Sequence, residues 1–86
     1  MLDQAKLKKH AGLFDRMAAR TGLDLQEEAI AGRLHFDEIS EAVLRCSHCT
    51  RPEQCARWLD KDTVRAEAPD YCRNRDLLGF LKEAEA

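Results

Sequence analysis

Four cysteines carry most of the chemistry open to this chain of 86 residues. Three stand in the run Cys46-Ser47-His48-Cys49-Thr50-Arg51-Pro52-Glu53-Gln54-Cys55, with the spacing C-x2-C-x5-C, and Cys72 follows after sixteen intervening residues. The thiolate is the form that binds metals, and soft sulfur selects zinc or iron–sulfur over hard cations. Four thiols, three of them inside ten residues, can converge on one centre. The leading expectation is a 4Fe-4S cluster, because each iron of a cubane takes one protein ligand and four thiolates close it. C-x2-C places two ligands on one turn, and five further residues let a helix N-terminus bring the third. Backbone N–H groups there, near Thr50 to Glu53, would hydrogen-bond the cluster sulfurs.

Two other uses of the cysteines stay open. A structural zinc site takes four thiolates tetrahedrally and contributes folding energy without reactivity. Such sites usually present two C-x2-C knuckles, which Cys55 and Cys72 do not supply. His48, inside the first pair, is then a substitute ligand, against its ordinary role as an exposed loop residue. The third use is metal-free: buried thiols, or a thiol–disulfide couple at Cys46 and Cys49. A thioredoxin-like couple would sit in a βαβ context that this sequence lacks. Thr50 after Cys49 rules out covalent haem attachment through C-x-x-C-H.

The ten residues from Cys46 to Cys55 resemble the C-x2-C-x5-C segment of the WhiB iron–sulfur regulators, and the same spacing occurs in the cluster loop of helix-hairpin-helix DNA glycosylases. In both families the fourth cysteine precedes this segment, whereas here Cys72 follows it. Over a longer span, within residues 13–81, the chain is similar to a small bacterial family of unknown function. Its pattern joins Leu-Arg-Cys-x-x-Cys (Leu44 to Cys49), Cys-x-x-Trp-Leu (Cys55 to Leu59) and Ala-Pro-x-Tyr-Cys-x-Asn (Ala68 to Asn74). That resemblance implies that Cys46, Cys49, Cys55 and Cys72 act as one unit, and it carries no activity.

The elements that position these residues read as helices. Residues 4–21 place Leu7, Leu13, Phe14, Met17 and Ala18 on one side at helical spacing, with His10 at the boundary and Gly22 as the stop. A short second helix is expected over 25–31, with Asp24 and Glu27 as its capping box, Gly32 closing it and Leu25, Ala29 and Ile30 facing in. Leu34 and Phe36 should plug the core. Asp37 should cap a third helix, 38–46, whose inner stripe Ile39, Ala42, Val43 and Cys46 delivers the first cysteine. Thr50 and Glu53 frame a capping box for a fourth helix, 51–60, with Pro52 in its first turn. That helix should carry Cys55, Trp58 and Leu59 on one face, and Trp58 is expected to keep water off the centre. Residues 60–68 read as a charged connector. The last element, 70–84, supplies Tyr71, Leu77, Leu78, Phe80 and Leu81. The expectation is one all-α domain, 1–86, of four to five short helices around a four-cysteine centre. Its metal-binding loop and flanking helices span 44–74, pinning the third and fourth helices to the last.

Composition narrows the function classes. Helix formers dominate, and β-branched residues are too scarce for a sheet. The net charge of −2 does not advertise a nucleic-acid binder. Glu38 and Glu41 stand where a recognition helix would want donors. Arg45, Arg51, Arg57, Arg73 and Arg75 collect near the cysteines, where they form a solvated face or offset the charge of thiolates. No apolar run is long enough to span a membrane or serve as a signal peptide, so the cytoplasm is the expected location. No P-loop, dinucleotide turn, HExxH or nucleophile elbow is present, and no enzyme is expected. The role expected is redox or sensory, acting through a protein partner, with a structural adaptor as the alternative.

Overall fold

The structure, a computed structural model, describes residues 4–61 and 67–85. Within them lie five helices and no strand: α1 (Gln4–Arg20), α2 (Leu25–Ile30), α3 (Phe36–Ser47), α4 (Pro52–Lys61) and α5 (Arg75–Glu85). The expected connector falls largely on residues 62–66, outside the described set.

The hub is α1, which packs on α3 and α4. Positions 10, 13, 14 and 17 fall on one stripe of a 3.6-residue helix, and His10, Leu13, Phe14, Met17 and Ala18 are all buried. Burying a Leu, Phe or Met side chain is worth about 1.5–3 kcal/mol, so this stripe anchors the fold. The helix stops where expected. Leu23 N–H bonds back to Ala18 O at 2.9 Å and Gly22 N–H to Ala19 O at 3.0 Å. This is a Schellman closure, which needs a left-handed residue, and Gly22 has φ +90°.

The same closure ends α2, with Arg33 N–H bonding Glu28 O at 3.0 Å, Gly32 N–H bonding Ala29 O at 3.1 Å, and Gly32 at φ +79°. Asp24 caps its start, Oδ1 accepting from the N–H groups of Gln26 and Glu27 at 3.0 and 3.3 Å. The expected inner face of α2 needs correcting. Glu28 is 2% exposed, whereas Ile30 is 78% exposed. Both Glu28 carboxylate oxygens accept from Arg33, Nε and Nη2 each at 3.0 Å, so the buried charge is paired. Two residues along a helix is about 200°, so turning Glu28 inward with Leu25 and Ala29 turns Ile30 out.

Leu34 is buried as expected, but Phe36 is 81% exposed. Phe36 opens α3 in its first turn and lies with Ile30 along an open groove lined also by Leu25, Ile39 and Val43. The N-cap of α3 is His35, not Asp37, and its N–H is taken by Glu38 Oε1 at 3.0 Å. The start of α4 is also one residue later than the expected capping box. Pro52 is its first residue, and Cys55 N–H bonds Arg51 O at 3.0 Å, which makes Arg51 the N-cap. Pro fits that first position because the N–H it lacks would have no helical partner.

At the other end of α4, Arg20 Nη1 donates to the carbonyls of Trp58 and Leu59 at 3.4 and 3.3 Å. The same guanidinium sits 4.6 Å from the Trp58 ring centroid. It thereby serves carbonyls that a helix end leaves unpaired and stacks on an aromatic face. Arg16 adds a contact to Asp60 at 2.6 Å.

The last helix starts at Arg75 rather than 70. Cys72 N–H bonds Pro69 O at 3.0 Å and Arg75 N–H bonds Cys72 O at 3.2 Å, so residues 69–75 form successive turns. Arg75 braces them by donating Nε to Ala68 O at 3.0 Å. Leu78 and Leu81 of α5 enter the core, while Phe80 is 63% exposed.

Candidate metal centre

Three separate pieces of backbone bring the cysteines together. Cys46 lies in the last turn of α3. Cys49 follows one residue after the helix's C-cap, His48, and its N–H bonds Cys46 O at 3.0 Å. Cys55 lies in the first turn and a half of α4, and Cys72 in the turn before α5. All four line one cavity of about 20 Å³, together with Leu13, Phe14 and Met17 from α1 and Tyr71, Arg73 and Asn74 from the turn. The apolar wall that excludes water is therefore α1. Trp58, expected in that role, lies instead beneath Arg20.

The turn bearing Cys72 is fastened to α3 by Asn74, which is 2% exposed. Its Oδ1 accepts from Arg45 Nε at 2.8 Å, and its Nδ2 donates to Ala42 O at 2.8 Å. Its own carbonyl accepts from Leu78 N–H at 2.9 Å, starting α5. Asparagine commonly caps a helix with its side chain. Here the side chain crosses to α3, so one residue sets the register of Cys72 against the helix that carries Cys46.

All four cysteines are free thiols. Burial pushes the Cys46 thiol up to about 12, and neighbouring Cys55, Cys49 and Cys72 add to the effect. Cys55 is pushed up to about 11 by burial, then by Cys72 and Cys49, with Arg16 opposing. Cys72 is raised by burial, partly offset by the Asn74 backbone N–H. Shared burial therefore favours the protonated form of Cys46, Cys55 and Cys72. Such thiols are poor nucleophiles, which argues against a reactive dithiol. A cation entering among them would reverse the field and displace protons. Among the described residues, no group of three or more His, Cys, Asp or Glu side chains is arranged to hold a metal ion. The thiols share a cavity without closing on a common point.

Other groups bear on the sulfurs. Arg51 N–H, at the start of α4, donates to Cys49 Sγ at 3.4 Å, one backbone donor of the kind expected there. His48 is exposed and does not line the cavity. The histidine at the cysteines is His10, 3% exposed, with Nδ1 3.3 Å from Cys46 Sγ. Burial, then Lys9 and Lys6, lower its pKa against the opposing Glu53. His10 was expected at the boundary of α1 rather than buried; the signal for its burial is that it precedes Leu13, Phe14 and Met17 at i+3, i+4 and i+7. Tyr71 was placed only as apolar surface, yet its hydroxyl is buried and, among the described residues, without a hydrogen-bond partner. Burial, then Cys55, Cys49 and Cys72, raise its pKa. Of the five arginines near the cysteines in sequence, Arg73 lines the cavity, while Arg45 and Arg75 serve Asn74 and the Ala68 carbonyl.

A family model matches residues 1–84, and the chain belongs to that family, described as a family of unknown function (DUF6455). No curated protein and no solved structure matches the chain. No similarity to the WhiB regulators is shown. No helix among the described residues is long and apolar enough to cross a membrane.

Proposed function

We propose that this member of a family of unknown function binds one metal centre through Cys46, Cys49, Cys55 and Cys72. The preferred centre is a 4Fe-4S cluster with a redox or sensory role exerted through a partner protein. The observation that carries this is the convergence of four thiols, from the end of α3, the start of α4 and the turn before α5, on one cavity walled by α1. Burial raises the Cys46, Cys55 and Cys72 thiols, and a cationic centre among them would favour their thiolates. The cluster is preferred to zinc on the sequence spacing: Cys55 and Cys72 do not supply the second C-x2-C knuckle of the usual zinc site, whereas four thiolates close a cubane. In either case the side chains must reorient around the bound group. The C-x2-C-x5-C spacing, shared with the WhiB cluster segment over ten residues and no further, supports the same preference. His48, exposed outside the cavity, is not needed as a ligand.

The test is anaerobic purification, an absorption spectrum, and analysis for iron, sulfide and zinc. A brown protein with about four irons and four sulfides per chain is the expected result. One zinc per chain and no colour would make the centre a structural Cys₄ site. Purification and reconstitution that both leave the chain without metal would refute the proposal.

A further inference from the structure

One polar group at the cysteine cavity stands apart. The Tyr71 hydroxyl is buried and has no hydrogen-bond partner among the described residues, and Tyr71 lines the cavity together with all four cysteines. Buried hydroxyls nearly always have a partner, and leaving one without is destabilising. Nothing in the fold demands a hydroxyl there: a phenylalanine would line the same wall at no such cost. The polar atoms that the cavity offers are sulfurs. A neutral thiol is a weak acceptor, whereas a metal-bound thiolate or a bridging sulfide carries negative charge and accepts a hydrogen bond well.

We infer that Tyr71 is a positioning residue for the metal centre, its hydroxyl donating a hydrogen bond to a sulfur of the bound group. The inference rests on the proposed metal binding and adds to it. Arg51 N–H on Cys49 Sγ is a second donor to the same sulfurs. The tyrosine differs because its side chain gains its partner only when the centre forms. The hydroxyl therefore opposes folding of the metal-free chain and favours the loaded one, and these opposite signs make the inference testable.

The experiment compares wild type with Tyr71→Phe. Thermal unfolding is measured in the presence of chelator, and metal retention is measured by competition with a chelator of known affinity, using the metal that wild type takes up. Tyr71→Phe should unfold at the same or a higher temperature than wild type without metal. It should bind metal about 10–100-fold more weakly, the usual effect of losing an outer hydrogen bond to a ligand. If the centre is a cluster, its reduction potential should also move negative, since a donor to sulfur favours the reduced state. Wild-type affinity in Tyr71→Phe would overturn the inference and leave the metal centre standing. A wild type that takes up no metal would overturn both.

Discussion

Asn74→Ala should be among the most damaging substitutions outside the cysteines, and its cost can be worked from the structure. The side chain is 2% exposed and makes two hydrogen bonds of 2.8 Å, one from Arg45 Nε and one to Ala42 O. A hydrogen bond to a charged group contributes about 1.5–3 kcal/mol, although Arg45 can regain water and recover part of that. Ala42 is fully buried at 0% exposure. Losing the amide donor removes a bond to its helical carbonyl, worth about 1 kcal/mol. The truncation also leaves a small cavity. Together these come to about 3 kcal/mol, against a total stability of roughly 5–15 kcal/mol for a small domain. The midpoint of thermal unfolding should fall by roughly 12–24 °C for a chain of this size. The assay is urea and thermal unfolding followed by circular dichroism, with chelator present so that metal plays no part. Asn74→Asp divides the sum. It keeps the acceptor for Arg45 but sets a carboxylate against the Ala42 carbonyl, so it should be no better than the alanine variant. A loss below about 1 kcal/mol for Asn74→Ala would refute the argument that this side chain fastens the Cys72 turn to α3.

Three further predictions follow from other parts of the molecule. Arg33 holds the Glu28 carboxyl below its ordinary pKa, so the pair's stabilisation is present above the unfolded value and lost as pH falls through the folded one. Wild type should therefore lose stability relative to Glu28→Gln as the pH drops below about 4.3, and parallel acid-unfolding curves would contradict this. Gly22→Ala forces an alanine to φ +90° at the end of α1 and should cost about 1–2 kcal/mol in urea unfolding. Cys55→Ala should abolish stoichiometric metal uptake and lower the thermal midpoint of the loaded protein. With chelator present most of that difference should vanish, since Cys55 then acts only as a small buried hydrophobe; unchanged metal content and stability would refute its role as a ligand.

Much of the fold was legible along the chain. The α1 stripe, its stop at Gly22, the Asp24 cap and the Gly32 stop all depend on neighbours within one or two turns, and each is found. The errors share a different cause. Ile30 looks like a core residue because it is apolar, but the burial of Glu28 against Arg33 rotates α2 the other way, and Phe36 stands exposed in the first turn of α3. The start of α5 was placed too early because Asn74 and Arg75, bonded to Ala42 and Ala68, hold residues 69–74 in turns. The Asn74 partner is 32 positions away, beyond any local pattern.

The candidate site divides in the same way. Residue type and spacing alone identified Cys46, Cys49, Cys55 and Cys72, because three thiols within ten residues are already held close by the chain. Only the tertiary structure brought Cys72 to them, lined the cavity with Leu13, Phe14, Met17 and Tyr71, set His10 against Cys46 and buried the Tyr71 hydroxyl. Sequence determines which groups lie within a helical turn of one another. Which of those groups loses its water, and which sulfur it then faces, is decided by how separate helices pack.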